Sequence, residues 1–298
     1  MQSLLYSIIL ELCAVSTTAI PAHRGDHTHA LFLDLVRQVD ADLSSRLHDE
    51  PEYRPFTVSV LHGARMNDGM QLLQAGQIYR LRLTLLDGGG LWQRLSAHFL
   101  ETSMLTLRLD KAQLQLTRVV STPTADATGW AEYSDWQTLA AASPRSAITM
   151  RFASPCAFSM GGRRFALFPE PIFLWDSLVR SWNLYAPAVL QIDKVALRDF
   201  VTQQVMVSDY DLHTARAVFA THAQKGFMGS CTYQLKSNEG CAPQLVALAE
   251  YARYAGVGSK TTSGMGQARM EKIEDKARDE YSHRQQQTDL FAIPQRSS

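Results

Sequence analysis

Four glycines surround a single lysine in the stretch AGVGSKTTSGMGQAR near the C-terminal end of the chain. They are Gly256, Gly258, Gly264 and Gly266, and the lysine is Lys260. Glycine adopts backbone conformations that other residues avoid, so such a cluster is typical of tight turns or of close backbone approach to a bound group. Backbone amides beside a lysine are suited to hold an anion. The stretch therefore predicts anion binding, and the simpler alternative is a glycine-rich turn after a helix.

The segment GVGSKTT is similar to a phosphate-binding P-loop but departs from it in two ways. Ser259 stands where the P-loop has a glycine directly before the lysine. The neighbouring helix is predicted before the stretch, so the stretch lies at a helix C-terminus, where the partial charge is negative. An anion here would be held by backbone amides and by Lys260. This pattern favours a polyanion lying along the surface over a nucleoside triphosphate.

The composition is that of a globular protein long enough for two domains. The chain has 298 residues, of which 46% are hydrophobic, and its 29 basic residues balance its 29 acidic ones. The charges are unevenly distributed, because residues 26–52 contain seven acids against two arginines, whereas residues 143–164 contain four arginines and no acid. A basic surface patch is therefore compatible with the neutral total.

The cysteines and the apolar segments exclude several classes of protein. The four cysteines form no CxxC pair and have no histidine-rich surroundings, so we expect free thiols rather than a zinc site or a disulfide framework. The opening stretch has no basic residue before its apolar run, and Glu11 interrupts that run, which favours a first strand over a secretory signal. No segment approaches the roughly 18 to 20 apolar residues of a membrane span. We therefore expect a cytoplasmic protein with no metal, no cofactor and no membrane association.

The first half of the chain shows alternating strand and helix patterns. Residues 4–15 are predicted to be a buried strand, and apolar residues at i, i+3, i+4 and i+7 predict a helix over residues 27–39. Strands follow at 56–63 and 77–87, then a helix in LWQRLSAHFLE and strand material in MLTLRLDKAQLQLTRVV. The order is βαββαβ, as in a ferredoxin-like domain.

Within residues 77–87, large apolar residues alternate with Arg80, Arg82 and Thr84. Alternation with period two places the two sets on opposite faces of a strand. We therefore expect one buried face and one basic face, with Arg80 and Arg82 serving as solvent-exposed charges.

The second half predicts the same architecture again. The Ser-, Thr-, Pro- and Gly-rich segment STPTADATGWAEYSDW marks the domain junction. A strand at 148–155 and a hairpin in AFSMGGRRFALF follow, then a helix, two strands, a helix in CAPQLVALAEYARYAG and a short strand within 267–273. The predicted domains are 1–125 and 126–273. The charged, glutamine-rich residues 274–298 are predicted to be a disordered tail.

Several stretches together resemble one family, the CRISPR-associated repeat-processing endoribonucleases (Cas protein six) of the repeat-associated mysterious protein superfamily. The glycine stretch is similar to the superfamily's C-terminal signature. The other similar stretches are MRFASPCAF, GGRRFALFPEP, GFMGSCTYQL, HALFLDLV and RLHDEPEYRPFTVSVLHG. The resemblance spans nearly the whole chain apart from the tail. It implies an α+β fold of tandem ferredoxin-like (RRM-like, βαββαβ) domains and metal-independent cleavage of a CRISPR precursor transcript within its repeat.

The resemblance also implies the partner and the chemistry. The partner is CRISPR repeat RNA, both as precursor and as mature crRNA. The RNA 2′-hydroxyl attacks the adjacent phosphorus and leaves a 2′,3′-cyclic phosphate and a 5′-hydroxyl. Membership of a CRISPR effector complex and formation of a homodimer are left open. The alternative function is a non-catalytic subunit that binds crRNA in a surveillance complex.

Histidine is suited to this reaction because its ordinary pKa of about 6.5 leaves both protonation states available. The resemblance implies His48 as the catalytic residue, since RLHDEPEY is where the family carries its catalytic histidine after the first helix. The alternative is that His48 only ends that helix, where a positive charge is favourable. His29 at the start of the helix is the second candidate. Weaker candidates are His23, His27 and His62, with Tyr53 as an assisting group.

Two sets of residues are predicted to bind the RNA. Arg163 and Arg164 at the hairpin tip are expected to contact the repeat stem or its phosphates, because a guanidinium group matches phosphate oxygens. The alternative is a solvated hairpin tip. A second contact is expected from Lys260 together with the backbone amides of the glycine stretch, namely those of Gly258, Ser259, Gly264 and Gly266.

Overall fold

The computed structural model describes residues 4–22, 24–50, 54–86, 88–162 and 164–271. The fold is built mainly on two antiparallel β-sheets, one in each half of the chain. Helices pack against both sheets, and each half has its own hydrophobic core. Of the predicted tail, residues 274–298 lie outside the described part of the chain.

The described residues of the N-terminal half form eight strands and three α-helices. They are β1 (Leu4–Ala14), β2 (Thr18–Pro21), α1 (Gly25–Val39), α2 (Ala41–Asp49), β3 (Phe56–Val58), β4 (Arg65–Asn67), β5 (Met70–Leu73), β6 (Ile78–Leu85), α3 (Gly88–Glu101), β7 (Thr106–Leu109) and β8 (Ala112–Val120).

The main sheet of this half has the order β3-β6-β1-β8-β7. The strands β1, β3, β6 and β8 with helices α1 and α3 form the βαββαβ unit, and all neighbouring strands are antiparallel. Strand β7 adds a hairpin at the edge, while β2, β5 and β4 form a small separate sheet. The apolar face of α1, which includes Phe32 and Leu35, packs into the core of this half.

The C-terminal half repeats the unit. Strand β9 (Glu132–Asp135) and helix α4 (Trp136–Ala140) precede the unit. The elements that follow are β10 (Ala147–Cys156), β11 (Phe158–Ser159), β12 (Phe165–Ala166), α5 (Pro171–Tyr185), α6 (Lys194–Gln204), β13 (Val205–Val218), β14 (Ala223–Leu235), α7 (Ala242–Ala255) and β15 (Ala268–Met270).

The sheet of the C-terminal half has the order β13-β14-β10-β15, which is the order of the ferredoxin-like unit. The predicted hairpin is formed by β11 and β12. Helix α6 was not predicted; its first turn is capped by Asp193, whose carboxylate accepts from the amides of Val195 and Ala196. The prediction of tandem ferredoxin-like domains is confirmed.

The predicted junction segment is packed rather than extended away from the protein. Strand β9 pairs with β1, and the short helix α4 begins directly after it, capped by Asp135. The segment therefore lies against the first sheet while leading into the second half. The boundary between residues 125 and 126 stays a prediction.

The expectation that Arg82 is a solvent-exposed charge is wrong. Arg82 is only 5% exposed, and its guanidinium donates to the Ser7 hydroxyl, the Gln267 side chain and the Arg253 carbonyl. Thr84 on the same face is also buried. The alternation correctly placed Arg82 and Thr84 on the face of β6 that points away from the core of the N-terminal half. That face is nevertheless buried, because the C-terminal half packs against it. Arg80 does remain exposed and pairs with Glu11 at 3.2 Å.

Burial and the nearby charge of Arg253 lower the pKa of Arg82 to about 9, so its guanidinium stays charged at neutral pH. Among the described helices, none is both long enough and apolar enough to cross a membrane. All four cysteines have free thiols, and Cys156 and Cys231 are buried.

Candidate active site

The glycine stretch connects α7 to β15 and packs tightly against the rest of the protein. A Cβ atom at Gly258 would lie 2.5 Å from the Ala157 carbonyl oxygen, and one at Gly264 would lie 2.7 Å from a methyl group of Val60. Both residues have positive φ, 79° and 84°. Glycine is therefore required here because protein backbone approaches protein atoms closely.

The backbone amides of the stretch already have partners. Their N–H groups donate to protein oxygens at 2.9 to 3.0 Å: Gly258 to Ser177 Oγ, Ser259 to Ala157, Gly264 to Val58 and Gly266 to Pro155. The Ser259 hydroxyl also donates to the Ala157 carbonyl. An RNA phosphate would have to displace these bonds to use the amides. Contact of RNA with these four residues stays a prediction. Lys260, the remaining predicted RNA-binding residue of the stretch, lines a cleft.

A short 3₁₀ turn within the stretch, Thr261–Ser263, docks onto the N-terminal half. It packs against the start of α1, where a Cβ at Gly25 would lie 1.8 Å from the Ser263 carbonyl oxygen. On the other side, the Gly264 amide donates to the carbonyl of Val58 in β3. The glycine stretch of one half therefore lies directly beside the first turns of α1, the helix that carries His27 and His29.

His29 is held by this turn. Its Nδ1 lies 2.8 Å from the carbonyl oxygen of Thr262, and its ring packs at 5.6 Å from that of Phe56. A carbonyl can only accept a hydrogen bond, so Nδ1 must carry the proton. In the neutral imidazole, Nε2 is then the acceptor.

The environment of His29 favours the neutral ring. Burial lowers its pKa from the ordinary value, the Thr262 hydrogen bond partly opposes this, and the positive charges of Arg54 and His48 lower the pKa further. A neutral imidazole with a fixed tautomer can take a proton through Nε2 near neutral pH.

Both contacts of His29, Phe56 and Thr262, line a cleft of about 770 Å³; His29 itself lies behind them and does not line it. Among its described lining residues, Arg54, Arg180 and Lys260 are charged and all are basic. The Nε of Arg54 is buried with no hydrogen-bond partner within the described chain, while its backbone amide donates to the Tyr185 hydroxyl at 3.0 Å. The cleft is therefore suited to an anionic ligand.

Lys260 stands at the edge of this cleft in a left-handed conformation, with φ of 59°. Its Nζ lies 2.5 Å from Nε2 of His222 and 3.9 Å from the centre of the Phe219 ring. An ammonium group can only donate, so His222 accepts at Nε2 and carries its proton on Nδ1, 3.1 Å from Thr221 Oγ1. Partial burial lowers the pKa of Lys260. Lys260 also lines a second groove of about 740 Å³, which includes Phe165 and Leu167 of the hairpin segment and Lys225.

His48 lies exposed in the last turn of α2. It lines a different cleft, of about 670 Å³, together with His27, Asp34, Arg37 and others. Its charge contributes to the lowered pKa of His29, so the structure brings both catalytic candidates within electrostatic range of each other.

The remaining predicted residues that the structure describes lie on the surface. Arg164 is exposed at the β11–β12 turn, where its backbone amide closes the turn onto Gly161. His62 lies away from the cleft and pairs through its backbone with Arg80. Arg163, His23 and Tyr53 lie outside the described residues.

Three side chains near the site were missed from the sequence: Arg54, Arg180 and His222. Arg54 follows the quoted RLHDEPEY stretch directly, so proximity to His48 in the chain was an available signal. Arg180 and His222 come from α5 and from the β13–β14 turn, and no local pattern relates them to His29.

Two ferredoxin-like units in one chain, with a glycine-rich turn that borders a basic cleft, are the arrangement expected of the family that the sequence resembles. Two family models match the chain: the CRISPR Cas6 N-terminal domain over residues 4–141 and the CRISPR-associated endoribonuclease Cas6 over residues 150–268. Together they cover most of its length. The chain belongs to the Cas6 family.

Solved structures agree with this assignment. Cas6 of Thermus thermophilus, in a product complex, is 28% identical with a TM-score of 0.74, and the alignment covers 90% of this chain and 100% of that one. Another Cas6 product complex is 26% identical with a TM-score of 0.70, over the same shares of the two chains. The CRISPR-associated endoribonuclease Cas6 of Streptococcus thermophilus is 25% identical over 126 residues, which are 42% of this chain and 50% of the relative. The matched region thus spans about half of that curated relative.

Proposed function

We propose that the protein is an endoribonuclease that cleaves CRISPR precursor RNA within the repeat, without a metal ion, and yields mature crRNA. The observation that carries the proposal is the hydrogen bond from His29 to Thr262, which orients a neutral imidazole against a residue of a cleft whose described charged residues are all basic. Membership of the Cas6 family supports the substrate class.

In the proposed reaction the nucleophile belongs to the RNA. The 2′-hydroxyl gives its proton to Nε2 of His29 while its oxygen forms a bond to the adjacent phosphorus. The bond from phosphorus to the 5′-oxygen breaks, and that oxygen takes a proton from the imidazolium of His48. The products are a 2′,3′-cyclic phosphate and a 5′-hydroxyl. General acid and base groups typically contribute about 10²–10⁴-fold each to such a step.

In the transition state the attacking 2′-oxygen and the departing 5′-oxygen are both partly bonded to phosphorus. Negative charge therefore builds up on the two non-bridging phosphoryl oxygens. Lys260, Arg54 and Arg180 line the cleft and supply positive charge where it would be needed. Fixed charges in a partly desolvated site stabilise such a transition state more than they would in water. The hydrogen bond from Lys260 to His222 and the contact with the Phe219 ring hold its ammonium group in place.

The repeat RNA is proposed to extend from the cleft across Lys260 into the groove beside the hairpin. Lys225 lines this groove, and Arg164 is exposed at the hairpin turn. Both are basic, as binding to phosphates requires. Association with an effector complex and dimerisation stay predictions.

The test is incubation of the purified protein with its own repeat RNA in EDTA. Cleavage at one position, with a cyclic phosphate on the upstream product, supports the proposal. A substrate with a single 2′-deoxynucleotide before the scissile phosphate should bind and stay intact, because it lacks the nucleophile. Tight stoichiometric binding of an uncut all-ribose repeat would instead identify a non-catalytic crRNA-binding subunit.

A further inference from the structure

Two side chains on one face of strand β6 bond to the other half of the chain. The guanidinium of Arg82 donates to the carbonyl of Arg253 and to Oε1 of Gln267. The hydroxyl of Thr84 donates to the carbonyl of Tyr254 at 2.6 Å. Arg253 and Tyr254 lie in the last turn of α7, and Gln267 directly follows the last of the four glycines of the glycine stretch. Strand β6 therefore holds the chain on both sides of those glycines.

The two α7 carbonyls lie at the end of the helix, where the helix itself offers them no donor. In a continued helix the carbonyls of Arg253 and Tyr254 would accept from the amides of Val257 and Gly258, four residues on. Those amides donate to other parts of the chain instead. Carbonyls at a helix C-terminus need donors from outside the helix, and the partial negative charge there favours a cation. The guanidinium and the hydroxyl from β6 supply these donors and cap α7.

The guanidinium of Arg82 is held in one orientation. Its Nε donates to the Ser7 hydroxyl at 2.9 Å, and the group lies 4.6 Å from the centre of the Trp130 ring. With the bonds to Arg253 and Gln267, each of its three nitrogens donates to an oxygen of the protein. A shift of α7 relative to β6 would therefore break at least one hydrogen bond of a buried charged group, which is costly.

The turn that contacts His29 lies between these two attachments. The turn consists of residues Thr261–Ser263, and the carbonyl of Thr262 lies 2.8 Å from Nδ1 of His29. This turn belongs to the C-terminal half, whereas His29 belongs to the N-terminal half. The hydrogen bond between them therefore forms only if the two halves are held in one relative position.

The other hydrogen bonds of the glycine stretch fix that position only in part. The amides of Gly258, Ser259 and Gly266 donate to oxygens of the C-terminal half, so they place the turn within that half but not relative to α1. The amide of Gly264 donates to the carbonyl of Val58 in the N-terminal half. The bonds from β6 add the attachments on either side of the turn.

We propose that Arg82, assisted by Thr84, is a positioning residue for His29. It attaches the end of α7 and Gln267 to β6, and it thereby places the Thr262 carbonyl that fixes the tautomer of the imidazole. The proposal rests on the function proposed above, in which Nε2 of His29 must be free of a proton. Without Arg82, the Thr262 carbonyl is no longer held at hydrogen-bonding distance. The proton of the neutral ring then moves in part to Nε2, where it blocks the base.

The tautomer of His29 can be read by nitrogen–proton correlation NMR on protein with isotope-labelled histidines, without RNA and above the ordinary histidine pKa of about 6.5. The signals of His29 are those absent from His29→Gln. We expect the wild-type protein to carry the proton on Nδ1 and Arg82→Met to carry a measurable share of it on Nε2. Arg80→Met, at an exposed position of the same strand, should keep the wild-type tautomer.

The second measurement is single-turnover cleavage of the repeat at saturating protein. We expect Arg82→Met to cut about tenfold more slowly, which is less than the loss expected when the base itself is removed. In a His29→Ala background, Arg82→Met should have little further effect, because Arg82 acts through that histidine. A role in overall stability alone would slow cleavage equally in both backgrounds and would overturn the proposal.

Thr84→Val tests the same attachment if Arg82→Met fails to fold. It keeps the shape of the side chain and removes the hydroxyl that donates to the Tyr254 carbonyl. We expect the same change of tautomer and cleavage slower by about two- to threefold, as for one lost hydrogen bond. Thr106→Val, at an exposed position of β7, is the matched control and should change neither. A wild-type tautomer and rate in Thr84→Val would overturn the proposal.

The outcomes separate the two proposals. A protein that cuts its repeat, but whose Arg82→Met variant keeps the wild-type tautomer, retains the proposed function and overturns the positioning role. A wild-type rate of cleavage in Arg82→Met overturns that role as well. A protein that leaves its repeat uncut, yet changes the tautomer of His29 in Arg82→Met, supports the positioning of His29 by Arg82 and overturns the proposed cleavage.

Discussion

The Nδ1 of His29 lies 2.8 Å from the carbonyl oxygen of Thr262, across a separation of 233 residues in the chain. A helix of the N-terminal half and the glycine stretch of the C-terminal half therefore share one hydrogen bond at the candidate active site. The bond sets the tautomer of the histidine, and its formation depends on how the two halves pack.

Replacement of His29 by alanine should remove the general base. We expect single-turnover cleavage of the repeat to fall by about 10²–10⁴-fold, with RNA affinity changed only a few-fold. His213→Ala, at an exposed position of β13, serves as the matched control and should cut at the wild-type rate. A His29→Ala protein that cuts normally would move the role of base to another residue.

Replacement of His48 by alanine should remove the general acid, so cleavage of ordinary RNA should again fall by about 10²–10⁴-fold. A substrate with sulfur in place of the scissile 5′-oxygen has a leaving group that needs no proton. This substrate should be cut by His48→Ala at close to the wild-type rate, but not by His29→Ala. Equal defects of both variants on the sulfur substrate would show that His48 is not the acid.

The pH dependence should reflect the lowered pKa of His29. The base acts only when neutral, so the rate should fall as the pH drops through that pKa, and the midpoint should lie below the ordinary value of about 6.5. Arg54→Gln removes a positive charge that lowers this pKa. The acidic limb of the pH–rate profile of this variant should therefore move to higher pH. Arg65→Gln, at an exposed position of β4, should leave the limb in place. An acidic limb that stays in place in Arg54→Gln would contradict the assignment of His29 as the general base.

The tight packing of the glycine stretch should appear in stability measurements. Gly258→Ala combines a positive φ with a Cβ placed 2.5 Å from the Ala157 carbonyl oxygen. Gly76 has nearly the same φ, 77°, with nothing within 4 Å of such a Cβ. We expect Gly258→Ala to lower the free energy of unfolding in urea by about 1–3 kcal/mol more than Gly76→Ala does. Equal losses would mean that the close contact relaxes without cost.

The salt dependence of RNA binding tests the proposed phosphate contacts. The double change of Arg164 and Lys260 to alanine should weaken binding of a non-cleavable repeat and reduce the slope of log K against log salt. The expected reduction is roughly 0.7 to 0.9 for each lost contact. Lys194→Ala, at the exposed start of α6, should leave the slope unchanged. An unaltered slope in the double variant would contradict the proposed path of the RNA.

Most of the secondary structure was predictable because its signals are local. Apolar residues at intervals of three and four within residues 27–39 reflect one face of α1, and alternation in residues 77–87 reflects the two faces of β6. Because the same order of helix and strand patterns occurs in both halves of the chain, it indicated the tandem ferredoxin-like fold. The strand predicted at 56–63 is shorter in the structure, Phe56–Val58. The residues after it do not continue the regular pairing with β6 and form only an isolated bridge between His62 and Arg80.

The sequence by itself determined the order of the elements, the family resemblance and a short set of candidate residues, since periodicity and motifs are properties of neighbouring positions. The tertiary structure decided that Arg82 is buried, that the amides of the glycine stretch bond to protein, and that His29 bonds to Thr262, which lines a basic cleft. These features depend on which surfaces of the two halves meet. Such contacts join residues far apart in the chain, so no local pattern encodes them.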